Sequence, residues 1–565
     1  MKRFHIFQLI TGIVFFGTFW LAFPNILMWL EGDDLFLFTR EYIFGVLERQ
    51  QGVTYLIANF VEQFFSKPWL ASLIYTLFML LAAELFFLSM RKMGKESFSC
   101  LAVLPAPAIV LFRFPDLAPL LYLVSFALAL YVFTILKNRI VRCIYVLLLP
   151  FFAFTIMPWS IAAILFLGFS AIELFENKQK IVSVVMLLAV LECFFVPSIW
   201  SDTISFIPFE IRPFSGIGED VTWKCLTVYT VMMIVMAVPY KVNINKWIGF
   251  AVVVASSALY YVLMTTNSLH VFIERLYKIS YMADNKDWYG VLSEISYEDY
   301  SKNKAFLCYA LLAENALGTL PQNLMKYQIN DPESFLFRHM TKSFLVNFNR
   351  QFYDNIGIHD EAFHQAFEYG VNARENECFR TLRHKTDYAL ASYDLGTAEK
   401  YIDLLKHSSA HGVWIASHAA RLDSLKSKKR PKVPYRSDTL VGAYPIPSEV
   451  FRLYERDKDN RKLLDYVLCS LLLRKEVDKF GIILKNFNLY EGEKLPSLYA
   501  EATAALAVKD TTARSLGDYD HELEKQYVDF VQRTKKGEDC SQYAGTYWAY
   551  LLFRELPKET ENSKQ

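Results

Sequence analysis

The sequence has almost no net charge: 59 Lys and Arg stand against 58 Asp and Glu, leaving +1. A nucleic-acid binder needs a net basic face, so no nucleic-acid partner is expected. The 8 cysteines include no Cys-x-x-Cys pair. Cys100, Cys143, Cys193 and Cys225 sit in or beside apolar runs, and Cys308, Cys378, Cys469 and Cys540 are too widely spread for a disulfide framework. Also missing are a Gly-rich phosphate loop, a His-Glu-x-x-His zinc motif and a Gly-x-Ser-x-Gly nucleophile elbow, which removes the enzyme classes most readily seen in sequence. Lys2 and Arg3 precede an apolar stretch, but no small-x-small cleavage pattern follows, so that stretch reads as an uncleaved anchor. What the chain has in quantity is apolar surface. It is 53% hydrophobic and only 21% charged, which excludes a mostly disordered protein.

Charge is unevenly placed along the 565 residues. Residues 1–267 hold 34 of the 117 charged side chains, and residues 268–565 hold 83. Two different solvents are implied. In the first part, apolar runs predict about nine membrane spans, near 5–29, 69–90, 99–114, 117–136, 141–158, 160–176, 181–199, 222–240 and 247–266. Alternate connections carry Lys2, Arg3, Arg91, Lys92, Lys95, Lys137, Arg139, Arg142, Lys178, Lys180, Lys241 and Lys246. The positive-inside rule makes that side cytoplasmic. Nine crossings then put the tail outside, across a bacterial inner membrane.

From residue 268 the pattern changes to amphipathic stretches such as Asn303–Ala316, Glu361–Asn376, Lys385–Leu395 and Lys462–Leu473, with apolar positions three and four apart. The expected fold class is therefore all-α: a polytopic transmembrane domain (1–267), then a soluble helical-repeat domain in two lobes (268–425 and 448–565). Between the lobes, residues 426–447 form a basic, proline-containing linker. Leu317-Gly318-Thr319, Leu395-Gly396-Thr397 and Leu473-Arg474-Lys475 close helices at a spacing of 78 residues, the length of two 39-residue hairpins. The stretch Tyr388-Ala-Leu-Ala-Ser-Tyr393-Asp-Leu-Gly396, followed by Ala398-Glu-Lys-Tyr401, resembles the tetratricopeptide pattern. That resemblance implies a concave surface for a protein or glycan partner.

Chemistry is most concentrated in the first outer connection, Glu31-Gly32-Asp33-Asp34. Residues 35–65 follow it, amphipathic and too polar to cross, and are expected to lie on the outer leaflet. Paired carboxylates at the end of a span, then interfacial helices and many spans, resemble the GT-C glycosyltransferases. Some members of that family also carry an outward tetratricopeptide tail. The resemblance implies a polyprenyl-phosphate-linked sugar as donor, Asp33 or Asp34 as the catalytic carboxylate, and a divalent cation (Mg or Mn) as a cofactor. A carboxylate there takes the acceptor hydroxyl's proton where a lipid-linked donor presents its phosphate.

Other outer residues are candidates for binding substrate: Arg113 and Asp116 in one short turn, and Arg212, Glu219 and Asp220 in the last outer loop with Asp202 and Glu210. An arginine grips a phosphate through paired N–H groups. His407 and His411 are spaced to share a helix face, but no third ligand accompanies them, so no metal site is assigned there. Glu84 and Glu192 lie in apolar runs without the repeated set of spans a transporter shows. Two functional readings remain open: a GT-C-like enzyme, and a non-enzymatic membrane scaffold whose helical tail binds a periplasmic partner. The multi-span half with its Tyr- and Phe-rich helical tail also resembles inner-membrane families of Bacteroidota, which implies a periplasm on the outer side.

Overall fold

The architecture comes from a computed structural model of the chain. The structure describes residues 2–200, 219–239, 245–327, 329, 331–337, 343–373, 377–428, 447–487, 490 and 493–554. Among the described residues it is all-helical, with no strand and one isolated bridge, Lys494 to Asp518. Two compact units divide the chain. The first is Met1–Glu274 together with Cys378–Arg380 and Glu399–Arg421; the second is Arg275–Glu377, Thr381–Ala398 and Leu422–Gln565. Two later pieces of the chain therefore belong to the first unit, an arrangement that the expected break at 267 does not contain.

All nine apolar runs of the first unit are helical, but they are not nine full spans. Helix α1 (Lys2–Gly17) continues through a π-helical turn, Thr18–Ala22, and stops at Phe23. There Pro24, lacking an N–H, opens α2 (Pro24–Asp33) as a separate helix. Two short amphipathic helices follow, α3 (Arg40–Leu47) and α4 (Gly52–Glu62), then the 25-residue α5 (Pro68–Lys92). A 3-10 segment, Glu96–Val103, leads into α6 (Pro105–Arg113), because Pro105 and Pro107 cannot extend one hydrogen-bond ladder. Next come α7 (Ala118–Ile135), α8 (Arg139–Leu148) and α9 (Pro150–Ile156), the last two bent by 47° at Pro150.

The bundle is completed by α10 (Trp159–Phe175), α11 (Lys180–Trp200), α12 (Glu219–Ala237) and α13 (Lys246–Thr266), and α14 (Ser268–Asp284) begins in the first unit and ends in the second. Among the described residues five helical segments are long and apolar enough to cross a membrane, or six if α8 and α9 form one span. That is fewer than the nine expected. The 17 residues of α10 rise only about 26 Å, short of the roughly 30 Å hydrocarbon layer, and in α12 the described side chains begin at Trp223. In α11 the described side chains end at residue 192.

These helices pack as apolar helices do, through small residues and satisfied polar groups. Ser170 of α10 and Ser183 of α11 place their hydroxyls 2.8 Å apart, and each also donates to the other's carbonyl at 2.9 Å. Gly168 lets Met233 of α12 lie directly against α10. Arg142 of α8 pairs with the fully buried Glu173 of α10. The Lys95 ammonium donates to the carbonyls of Met236 (2.6 Å) and Val238 (2.9 Å), capping the C-terminal, negative end of α12. Large apolar side chains such as Leu9, Leu77, Ile181, Val184 and Leu259 face outward, as a membrane-facing surface requires.

The second unit consists of antiparallel helices with polar groups sealed into its core. Arg350 is 4% exposed, pairs with Asp284 and donates to Asn347 at 2.9 Å. Gln351 links the Ser280 carbonyl (2.8 Å) to the Tyr309 hydroxyl (3.0 Å). The repeat register expected for this region does not hold. Left-handed helix ends fall at Gly318, Tyr393 and Lys475, at unequal intervals, and Leu395-Gly396-Thr397 opens the helix Leu395–Leu405 instead of closing one. Tyr393, not Gly396, makes that turn. Most of the basic linker, 429–446, lies outside the described residues.

Candidate functional site

Helix α2 ends on the predicted carboxylates, and its two ends are held by distant residues. At its start the Glu274 carboxylate, only 9% exposed, accepts from the backbone N–H groups of Asn25 (3.0 Å) and Ile26 (2.8 Å) and from the Asn25 side chain (2.6 Å). A carboxylate there complements the positive helix N-terminus. At its end Asp34 turns extended (φ −107°, ψ 156°), and its N–H still donates to Leu30.

Arg380 meets that end of α2. Its guanidinium lies over the Trp29 ring, Cζ 3.7 Å from the centroid, donates from Nε to Asp33 Oδ1 at 3.3 Å and from Nη2 to the Trp29 carbonyl at 3.2 Å. The second Asp33 oxygen accepts from Trp29 Nε1 at 2.8 Å. Gly32 makes the approach available: a Cβ at that position would lie 2.5 Å from Arg380 Nη2. The neighbouring acid Glu31 pairs with His411 Nδ1 at 3.3 Å, and the His411 ring stacks on Phe379 with centroids 3.4 Å apart.

Backbone bonds reinforce these side-chain contacts. Phe379 donates to the Asp34 carbonyl (3.3 Å), and Phe38 donates to the His407 carbonyl (2.9 Å). The hydroxyls of Ser408 and Ser409 donate to Gln63, one residue past α4. Residues 35–65 are thus held from two sides, with Phe36 and Phe65 buried and Phe44 and Phe60 exposed. Asp34 itself is 5% exposed.

The other candidates separate. Arg113 and Asp116 pair with each other at 3.0 Å, and Tyr75 donates its hydroxyl to the Asp116 carbonyl. Asp202, Glu210 and Arg212 lie outside the described residues, and of Glu219 and Asp220 only the helical backbone is described. Asp33 is joined by Arg380, while Arg113 pairs with Asp116. Among the described residues no three His, Cys, Asp or Glu side chains converge as metal ligands. Sequence reasoning missed Arg380 and Glu274. Gly32 between the acids was their one local trace, and His411, to which no metal site was assigned, has Glu31 and Phe379 as partners.

Fold and site together define a protein that is all-helical among its described residues, with several helices fit to cross a membrane and a second helical unit richer in charge. The chain belongs to a family of unknown function (DUF6057), whose sequence model matches residues 1–554. No curated protein and no solved structure matches it.

Proposed function

We propose that this chain is a membrane-anchored, non-enzymatic helical scaffold. Its 31–34 acids secure the chain's own later segments, and its second unit binds a periplasmic protein or glycan partner. The observation that carries the reading is the state of Asp33, whose two oxygens accept from Arg380 and Trp29. A general base needs an oxygen aimed at the acceptor hydroxyl. With the scaffold go the finer assignments: a bacterial inner-membrane location, a cytoplasmic N-terminus and a tetratricopeptide-like periplasmic tail. The orientation is supported by the sorting of basic residues onto alternate connections. The test is the purified chain in liposomes supplied with polyprenyl-phosphate-linked sugars. No sugar transfer is expected, and Asp33→Asn should lower the unfolding temperature.

The second reading is a GT-C-like glycosyltransferase with Asp33 as base. One observation favours it: the Asp33 side chain keeps 27% exposure beside an indole, with a guanidinium against both, a setting suited to a sugar and its phosphate. Transfer that disappears in Asp33→Asn while the unfolding temperature stays unchanged would establish this reading and overturn the scaffold.

A further inference from the structure

A long groove runs between α6 and α12 in the first unit, with a volume of about 510 Å³. On α12 it is lined by one face from Trp223 through Thr227 and Val231 to Val235, and on α6 by Pro105, Ala108 and Phe112. Twelve residues of helix rise about 18 Å, so the groove averages roughly 9 Å from wall to wall. A helix, about 10 Å wide, does not fit. A single hydrocarbon chain does. The lining is apolar along its whole length except for Thr227 and, at one end, Lys224.

The Lys224 ammonium sits 5.8 Å from the Phe112 ring and 5.9 Å from the Trp223 ring, and among the described residues no carboxylate pairs with it. Arg113 is close enough to bear on the neighbouring Cys225 thiol, although Asp116 offsets much of its charge. The groove therefore has the form of a lipid: a narrow apolar length with a compact cation at one end. Ammonium groups on flexible stems hold phosphates as point charges.

We infer that this groove holds one acyl chain of an anionic phospholipid, with the headgroup phosphate on Lys224. The inference is independent of the reading proposed for Asp33. Charge complementarity selects the headgroup, and the cross-section selects a chain over a protein segment.

The probe is phosphatidylglycerol against phosphatidylcholine, titrated onto the delipidated full-length protein in detergent and read by native mass spectrometry. The wild type should retain phosphatidylglycerol about fivefold more strongly, the effect of one basic side chain on one headgroup charge. Lys224→Gln should bring the two lipids level. Ala108→Phe, which fills the groove, should lower both. Equal retention by the wild type, or an undiminished preference in Lys224→Gln, would overturn the inference. Should a variant misfold, phosphatidylglycerol carrying a photoreactive acyl chain tests the wild type directly. Crosslinks are expected on peptides covering 101–112 and 223–235. Crosslinks confined to other helices, or none because the chain itself fills the groove, would also overturn it.

Discussion

Gly32→Ala is expected to change sign with its background. In the wild type the new methyl would lie 2.5 Å from Arg380 Nη2 and 2.8 Å from its Cζ, so the guanidinium must leave Trp29 and Asp33. What leaves with it is a cation–π contact, worth about 1–2 kcal/mol when shielded from water. A charge-assisted hydrogen bond of about 1.5–3 kcal/mol goes too. Against that, Gly to Ala inside a helix gains about 1 kcal/mol. A net loss of about 1.5–4 kcal/mol follows for Gly32→Ala, and about 2.5–5 kcal/mol for Arg380→Ala. Once Arg380 has been truncated, nothing opposes the methyl, and Gly32→Ala should be neutral or stabilising by up to about 1 kcal/mol. Thermal unfolding in nanodiscs measures all four corners of the cycle, and hydrogen exchange at residues 31–38 and 405–414 reports whether the contact has opened. If Gly32→Ala destabilises equally in both backgrounds, Gly32 is not there to admit Arg380.

Three further outcomes follow from the same structure. Glu274→Ala removes the carboxylate at the start of α2 and should cost about 1–2 kcal/mol, with faster hydrogen exchange concentrated at Asn25 and Ile26. Gly168→Ala drives a methyl into Met233, 2.9 Å from its Cβ, and should destabilise the α10–α12 contact by about 1–3 kcal/mol, seen as a lower unfolding temperature in detergent. In the second unit, burial pushes the Asp465 carboxyl up to about 6, although the Tyr499 hydroxyl donates to it. The folded state therefore holds a proton that the unfolded chain releases at its ordinary lower value. This contribution to stability is complete below about pH 4 and is lost as the pH rises through 6. Asp465→Asn, which cannot ionise, should gain on the wild type by on the order of 2–3 kcal/mol between pH 4 and pH 8, read from denaturant midpoints at the two pH values.

Most of the helical content was legible in the sequence, because periodicity and apolar length are local properties. Pro24, Pro68, Pro105 and Pro150 each open a helix, and Gly318 closes one as its left-handed turn demands. Legibility failed where the decision was tertiary. Arg380, one of two arginines in Phe379–Ala391, carries no sign that its partner lies 347 residues upstream. The repeat register was misread because Tyr393 adopts the left-handed conformation that a glycine three residues later advertised. The span count exceeds the five or six found among the described residues because composition says whether a run tolerates lipid, while helix length, 17 residues in α10, and the bend at Pro150 decide how far it reaches. At the candidate site, Glu31 and Asp33 were legible as acids but not as partners of His411 and Arg380.

The separation between Asp33 and Arg380 also sets a timetable. At about 5–20 residues per second, a ribosome needs roughly 20–70 seconds to travel the 347 residues between them. Throughout that interval α2 exists on the nascent chain without the guanidinium that closes its end, and Glu31 waits longer still for His411. Insertion of the first helices must therefore be complete, and tolerant of two unanswered acids, well before the contacts that finish this unit have been synthesised. Synthesis order makes the 31–34 connection the last part of the first unit to mature, although it is among the first to be made.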